Sequence, residues 1–322
     1  MNTTPLLEMK NLTKEFKVGG LLFGAKLRAV ENANLLFEQE KSKIVTLAGE
    51  SGSGKTTLGR IILGILKPTT GKVLYKGRDI YSLKRKEKKK FMKEVQPIFQ
   101  NPFESFNFLR RIDNYLIDTA LNFKIANNRE EAIKIISEAL NIVKLRFKEI
   151  KDKYVHEVSG GQAQRAAIAR ALITNPSLLI ADEPVSMVDA SLRMSILNIF
   201  LELKKKKMSI LYITHDLATA YYISDEIAIM LRGNIVEYGR TREVLSNPLH
   251  PYTQMLIECI PKPDPKKRWV KKIKLSDLEV KEYGMLGCKF ADRCPNSTTK
   301  CREKPPPEMD VKGRTIKCWL YE

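Results

Sequence analysis

Residues 43–66 read KIVTLAGESGSGKTTLGRIILGIL, and the hydrophobic pattern changes twice within this stretch. Ile44–Ala48 is a short apolar run rich in β-branched residues, which is typical of a buried strand. Glycines and small polar residues follow at 49–54. Apolar residues then recur at helical spacing, at Leu58, Ile61, Ile62 and Ile65. The stretch therefore predicts a strand, a glycine loop and a helix, which is an α/β arrangement.

The glycine loop matches the pattern G-x-x-x-x-G-K-[ST] of a P-loop, in the strand-to-helix context that such a loop requires. Its glycines allow backbone N–H groups to turn toward phosphate oxygens, and the helix N-terminus adds unpaired donors. Lys55 is placed to reach the β- and γ-phosphates of ATP, and the Thr56 hydroxyl to ligate Mg²⁺. The predicted cofactor-binding residues of the loop are Gly49, Glu50, Ser51, Gly52, Ser53, Gly54, Lys55, Thr56 and Thr57.

A second apolar run, at 178–181, ends in the adjacent carboxylates Asp182 and Glu183. An acid at the end of a strand beside a P-loop is placed to hold Mg²⁺, which suits Asp182. The next acid is placed to accept a proton from an attacking water, which suits Glu183. These two residues predict ATP hydrolysis rather than nucleotide binding alone.

A third element, VSGGQ at 158–162, places Ser159 before a predicted helix that extends to about Thr174. Glycines at a helix N-terminus form a second anion cradle, whereas one ATP needs only one P-loop. The predicted cradle consists of Ser159, Gly160, Gly161 and Gln162. The pattern indicates that this cradle meets a nucleotide bound by another subunit.

The order of these motifs resembles that of the ATP-binding subunits of ABC transporters, over nearly the whole chain. The resemblance assigns Gln100 to the Q-loop, VSGGQ to the signature motif (usually LSGGQ), Asp189 to the D-loop and His215 to the switch histidine. It makes Phe16 the best candidate for the aromatic residue that stacks on adenine. Tyr75 and Phe23 remain alternatives, since residues 17–28 are expected to form a long loop.

The resemblance also implies roles for these residues. Glu183, His215 and Lys55 would be catalytic, and Thr56, Gln100 and Asp182 would hold Mg²⁺. The ATPase would act as a head-to-tail dimer, with Lys55 of one subunit and Ser159 of the other facing the same ATP.

Composition narrows the possible partners. The chain has 322 residues and a net charge of +19, which favours a polyanionic partner such as nucleic acid, nucleotide or an anionic membrane surface. The P-loop and VSGGQ lie too close in sequence for the long coiled-coil arm of chromosome ATPases, so we expect no nucleic-acid partner. No apolar run approaches the 18 residues of a membrane span, and the N-terminus lacks the form of a secretory signal. These features predict a cytosolic protein, and the resemblance to ABC transporter subunits implies that it is peripheral, on the cytoplasmic face of the cell membrane.

The C-terminal part narrows the class. HPYT at 250–253 and GCKFADRCP at 287–295 resemble the C-terminal region of dipeptide/oligopeptide importer subunits, and ADEPVSMVDASLR is more similar to the second of the two ATPases in such importers. The resemblance implies a second ATPase subunit, two transmembrane permeases and an extracytoplasmic substrate-binding protein. An oligosaccharide importer of the same subfamily and a redox-responsive regulatory ATPase remain alternatives.

Four of the five cysteines lie in this tail with the spacing C-x5-C-x6-C-x16-C, as Cys288, Cys294, Cys301 and Cys318. A disulfide is not expected in a cytosolic chain, and zinc sites favour closer pairs of cysteines. The resemblance to dipeptide importer subunits implies a [4Fe–4S] cluster on these four residues. Zinc, another metal and unmetallated thiols remain alternatives.

The predicted fold is α/β: a P-loop ABC-type nucleotide-binding domain over residues 1–245. It is expected to contain an antiparallel N-terminal sheet and a helical subdomain at about 103–175. A small cysteine-rich C-terminal extension is predicted for residues 246–322.

Overall fold

The computed structural model describes residues 4–18, 25–260 and 279–322. The strands are β1 Leu7–Val18, β2 Ala25–Phe37, β3 Ile44–Ala48, β4 Thr70–Tyr75, β5 Arg78–Asp79, β6 Val95–Ile98, β7 Leu178–Asp182, β8 Ser209–Thr214, β9 Glu226–Leu231, β10 Asn234–Arg240, β11 Glu308–Val311 and β12 Arg314–Lys317. The helices are α1 Lys55–Ile62, α2 Arg85–Glu94, α3 Ile112–Asn122, α4 Arg129–Ile142, α5 Phe147–Ile150, α6 Gly160–Leu172, α7 Ala190–Lys205, α8 Leu217–Ile223, α9 Thr241–Ser246, α10 Pro251–Glu258, α11 Glu279–Gly284 and α12 Thr299–Glu303.

Among the described residues, the larger sheet has eight strands in the order β11-β12-β10-β9-β3-β8-β7-β6. The strands from β9 to β6 pair in parallel, and β10, β12 and β11 continue the sheet in antiparallel pairing. Every residue of β3 and β8 is buried, as expected for central parallel strands that are covered on both faces. The carboxyl ends of β3, β7 and β8 therefore meet at one edge, where the predicted site residues follow.

The smaller sheet is antiparallel, with the order β2-β1-β4-β5. An antiparallel N-terminal sheet was predicted, but the expected loop at 17–28 is too long. Strand β1 continues to Val18 and β2 begins at Ala25, so residues 17, 18 and 25–28 belong to strands rather than to the expected loop. The prediction was wrong because Lys-rich strand ends exposed to solvent lack the apolar pattern of a buried strand.

Helices α3, α4 and α6 pack together beside the parallel sheet. Leu116, Ile136 and Ile168 are fully buried in one cluster with residues of β7 and β8. The alanines of α6 allow the neighbouring elements to approach closely, and most of that helix is buried. Helix α1, which follows the central strand β3, ends at Ile62, and Gly64 takes a positive φ of 70°. Ile65 therefore lies outside the helix and is 61% exposed, in contrast to the predicted helical pattern.

The C-terminal residues are built into the larger sheet. Strand β12 pairs with β10, and the fully buried carboxylate of Glu237 lies 3.5 Å from Arg314. Glu237 also accepts hydrogen bonds from the backbone N–H groups of Leu249 and His250, each at 3.0 Å. A buried carboxylate with these partners joins β10, the start of α10 and the last strand. Within the three described ranges, no helix has both the length and the apolar character needed to cross a bilayer.

Candidate nucleotide-binding and hydrolysis site

The loop between β3 and α1 requires glycine at two positions. Gly49 and Gly54 have φ values of 154° and 104°, which L side chains rarely adopt. A Cβ atom on Gly54 would lie 2.1 Å from the carbonyl oxygen of Ala29, and one on Gly49 would lie 2.1 Å from that of Met230. The loop thus runs against the backbone of neighbouring strands, and α1 begins at Lys55 as the sequence predicted.

The Lys55 ammonium group lies within this loop. Its Nζ donates hydrogen bonds to the carbonyl oxygens of Gly49 at 2.9 Å and Glu50 at 2.7 Å, and to Ser53 Oγ at 3.3 Å. Burial lowers the pKa of Lys55, and the nearby carboxylates of Glu183 and Asp182 oppose that effect. A desolvated ammonium group held by the loop is suited to binding phosphate oxygens.

Asp182 ends β7 within hydrogen-bonding range of the Thr56 hydroxyl. Burial raises the pKa of Asp182, and the charge of Glu183 adds to this increase. Oxygen Oδ1 of Asp182 is buried without a hydrogen-bond partner. A buried, unpaired carboxylate oxygen beside a hydroxyl fits the few protein ligands that Mg²⁺ takes next to nucleotide phosphates.

Glu183 is held by two of the predicted site residues. The amide Nε2 of Gln100 donates a hydrogen bond to Glu183 Oε2 at 3.0 Å, and Nδ1 of His215 lies 2.9 Å from Oε1. The backbone of Glu183 has a φ of 44°, in the left-handed region that a glutamate rarely adopts, and its N–H donates to Ile213. The loops after β6, β7 and β8 thus converge on one carboxylate, a strained arrangement that is typical of functional sites.

The signature segment forms the N-terminus of α6. Ser159 Oγ accepts a hydrogen bond from the Gln162 N–H at 3.2 Å, and Gln162 Oε1 accepts one from the Ser159 N–H at 3.1 Å. A Cβ atom on Gly161 would lie 2.5 Å from Leu192 Cδ1, so this turn packs against α7, which Asp189 precedes as N-cap. Within the described ranges, no hydrogen bond joins residues 159–162 to the P-loop of the same chain. The predicted residues therefore form two separate groups, one around Lys55 and one around Ser159.

The aromatic candidates for adenine stacking differ in exposure. Phe16 on β1 is 37% exposed, and the Lys14 ammonium group lies 5.2 Å from its ring centroid. Tyr75 is 6% exposed, and its hydroxyl donates to Glu94 at 2.7 Å, so its ring is not available to a nucleotide. Phe23 lies outside the described residues. Adenine stacking by Phe16 therefore remains a prediction, whereas the alternative of stacking by Tyr75 is wrong.

A cleft of about 390 Å³ lies beside the P-loop and His215. Its other wall comes from the C-terminal part, including Leu256 and Cys259. Three C-terminal side chains that the sequence interpretation missed, Tyr252, Tyr283 and Arg293, contact the P-loop itself. The HPYT and RCP motifs marked two of these segments, but no local pattern indicates that they reach the P-loop.

The four tail cysteines converge on one cavity. Cys288, Cys294, Cys301 and Cys318 line one enclosed cavity of about 10 Å³ with His250, whose burial lowers its pKa to about 3 and keeps the ring neutral. Among the described residues, no three His, Cys, Asp or Glu side chains are arranged to hold a metal ion. Burial raises the pKa of Cys288 to about 12.

This fold and this constellation define an ABC-type ATPase cassette. A model of the ABC transporter family matches residues 32–186, and a model of the oligopeptide/dipeptide transporter C-terminal region matches residues 236–301. A solved dimeric ATP-binding cassette, in a post-hydrolysis state with ADP and phosphate, superposes with a TM-score of 0.65 at 27% identity. The superposition covers 73% of this chain and 99% of that one.

Curated relatives match over most of their length. The dipeptide transport ATP-binding protein DppF of Haemophilus influenzae is 37% identical over 319 residues, which cover 98% of this chain and 97% of DppF. The oligopeptide transport ATP-binding protein OppF of Streptococcus pyogenes serotype M1 is 41% identical over 262 residues, covering 81% of this chain and 83% of OppF. The chain belongs to the ABC transporter family, in the branch of ATP-binding subunits that carry the oligopeptide/dipeptide transporter C-terminal region, and it is an ATPase.

Proposed function

We propose that this ATPase powers the import of dipeptides or oligopeptides as the cytoplasmic nucleotide-binding subunit of an ABC transporter. The observation that carries the catalytic part is the convergence of Gln100 and His215 on Glu183, beside Lys55 and Asp182. The cargo follows from the relatives, which are named for dipeptide and oligopeptide transport.

In the proposed reaction, the P-loop amides and Lys55 bind the β- and γ-phosphates of ATP. Thr56 and Asp182, with Gln100, would hold Mg²⁺, which supplies charge neutralisation at the phosphates when bound. Glu183 orients the attacking water and accepts its proton, while Gln100 and His215 keep the carboxylate aimed. Lys55 stabilises the charge that spreads over the γ-phosphate oxygens in the transition state.

A dimer is part of the proposal, because no hydrogen bond among the described residues joins Ser159–Gln162 to the P-loop of their own chain. We infer that these residues complete the ATP site of a second, different ATPase subunit in a head-to-tail heterodimer. The solved cassette bound to ADP and phosphate is itself dimeric. When a Ser159→Arg chain is mixed with the second ATPase, the ATP site on the second ATPase should be impaired. When a Lys55→Ala chain is mixed with it, the ATP site on this chain should be impaired instead.

The proposed membrane partners are two permeases, fed by an extracytoplasmic substrate-binding protein, with this chain at the cytoplasmic face of the membrane. An apolar surface just after the Q-loop supports a permease contact: Phe108 is 52% exposed and stacks on Phe103, and Leu109 is 86% exposed. The net charge of +19 suits the anionic inner face of a membrane.

We further propose a cassette over 1–245 and an extension over 246–322, although β12 pairs with β10 of the cassette. Within the extension, the four thiols lining one cavity support a [4Fe–4S] cluster, or zinc, once the cavity opens and the thiols deprotonate. Anaerobic purification with iron, sulfide and zinc analysis tests this point. A chain with less than about 0.1 metal per molecule that still folds and hydrolyses ATP would eliminate both metals.

Uptake by reconstituted vesicles tests the function as a whole. The complete transporter, with its permeases, both ATPases and its binding protein, should accumulate labelled dipeptides or oligopeptides only when ATP is present on the side of this chain. Unlabelled peptides should compete, and oligosaccharides should not. Accumulation of oligosaccharides with no peptide uptake would replace the proposed cargo and retain the ATPase.

A further inference from the structure

Four charged side chains form a buried network at the contact between the P-loop and the C-terminal part. Arg293 donates two hydrogen bonds to the carboxylate of Glu50, at 2.7 and 3.2 Å, and its Nε lies 2.9 Å from Glu282. Arg232, in the turn between β9 and β10, donates to Glu282 at 2.7 Å and lies 3.6 Å from Glu50. The positive charges of the two guanidinium groups thus offset the negative charges of the two carboxylates.

Solvent is nearly excluded from three of the four side chains, and the fourth, Glu50, is partly exposed. The side chains of Glu282, Arg232 and Arg293 are 1%, 4% and 7% exposed, and that of Glu50 is 27% exposed. Removal of one member of a buried charge network leaves its partner desolvated and unpaired, unlike the loss of a surface ion pair. The two-point contact of Arg293 with Glu50 also fixes the orientation of that carboxylate, which a lysine at 293 would not reproduce.

Glu50 connects this network to the phosphate-binding residues. Its backbone N–H donates to the Tyr252 hydroxyl at 3.0 Å, and its carbonyl accepts from Lys55 Nζ at 2.7 Å. Two residues along the loop, the Gly52 carbonyl accepts a hydrogen bond from the Tyr283 hydroxyl. The C-terminal part therefore contacts the loop at three places: the carboxylate of Glu50, the backbone N–H of Glu50 and the backbone carbonyl of Gly52.

We propose that Arg293 is a positioning residue for the phosphate-binding loop: through Glu50, it holds the backbone that places Lys55. This inference rests on the proposed nucleotide site. It changes the role predicted for Glu50, whose backbone lines the loop while its carboxylate faces Arg293. It also gives the C-terminal part a function in nucleotide binding.

The proposal predicts a specific kinetic signature. A misplaced loop weakens the binding of ATP, so the KM of the full chain rises while kcat at saturating ATP changes little. A purely structural loss would reduce the folded fraction, which lowers kcat in proportion and leaves KM unchanged. The two quantities, measured together with the Kd for a fluorescent MgATP analogue and the Tm, separate these explanations.

The variants are Arg293→Gln and Arg293→Lys, with Arg302→Gln as the matched control. Arg302 lies in the same segment but pairs with Asp292 at the surface, where its side chain is 56% exposed. Arg293→Gln should raise KM and Kd about tenfold, as expected for the loss of one charged hydrogen-bonded contact. Arg293→Lys should recover part of this loss, and Arg302→Gln should match the unaltered chain. The double variant Glu50→Gln/Arg293→Gln should raise Kd by less than the product of the increases in the two single variants, because the two side chains interact.

Further variants cover the remaining outcomes. If Arg293→Gln does not fold, Arg293→Lys and Tyr283→Phe test the positioning role in its place, since each retains most of the packing. Each should raise the Kd for the MgATP analogue at least twofold. Unchanged Kd and KM in every folded variant would overturn the positioning role. Lys55→Ala is the test of the underlying site: if it binds MgATP normally, the proposed nucleotide site is wrong, whatever Arg293 does.

Discussion

The Glu183→Gln substitution tests the catalytic assignment because it removes the charge of the side chain but little of its shape. A glutamine at this position can still accept a hydrogen bond from Gln100, 3.0 Å away, and can donate one to Nδ1 of His215, 2.9 Å away. The backbone φ of 44° imposes a similar strain on either residue. ATP binding and stability should therefore change little, while the proton acceptor is lost.

The expected loss is the contribution of a positioned general base, so kcat should fall about 10²- to 10⁴-fold. The Kd for MgATP should stay within about twofold of the unaltered value, because the P-loop contacts of Lys55 do not involve Glu183 directly. The assay is single-turnover release of labelled phosphate from the full chain together with the proposed second ATPase. The trapped ATP should also stabilise the dimer, which light scattering would detect.

Glu183→Asp is the companion variant. It keeps the charge but withdraws the carboxylate by one carbon, beyond the reach of both partners. Its kcat should also fall, which would show that hydrolysis requires the position of the carboxylate at 183 as well as its charge. If Glu183→Gln hydrolysed ATP within about threefold of the normal rate, the assignment of Glu183 as the base would be refuted.

Three other substitutions test the surrounding structure. Gly54→Ala should abolish nucleotide binding and lower the Tm, because the new Cβ would lie 2.1 Å from the Ala29 carbonyl oxygen and the backbone φ is 104°. Gly284→Ala is the control, since no atom lies within 4 Å of its new methyl group. Normal binding by Gly54→Ala would contradict the loop geometry. Phe16→Ala should raise the Kd for ATP up to about tenfold, if its ring contributes a stacking energy of about 0.5–1.5 kcal/mol. An equal effect on triphosphate without a base would argue against stacking. Ile168→Ala, in the fully buried face of α6, should cost about 2–5 kcal/mol in a denaturant titration, and a cost below about 1 kcal/mol would contradict its packing.

Much of the fold was predictable because its signals are local. Ile44–Ala48 is a run of buried residues followed by glycines, and both the strand and the start of α1 lie where that pattern places them. The Ser159 N-cap was likewise predicted from adjacent residues and is observed. Each of these features depends on backbone conformations within a few residues, which composition and periodicity report directly.

The contacts of the C-terminal part were not predictable in this way. Arg293 reaches Glu50 across a sequence separation of 243 residues, and although each lies in a motif, neither motif indicates that the two side chains meet. The cysteines show what sequence grouping can indicate: it does bring Cys288, Cys294, Cys301 and Cys318 to one cavity. Distances between groups depend on tertiary packing, which spacing along the chain does not determine.

ATP-driven peptide uptake by vesicles containing the complete transporter, measured with this chain and with its Glu183→Gln variant, tests the central claim most directly. The unaltered chain should support accumulation of labelled peptide that stops when ATP is withheld. The variant should bind ATP and assemble normally, while uptake falls with ATP hydrolysis. Undiminished peptide uptake with Glu183→Gln, or ATP hydrolysis without peptide uptake by the unaltered complex, would contradict the account.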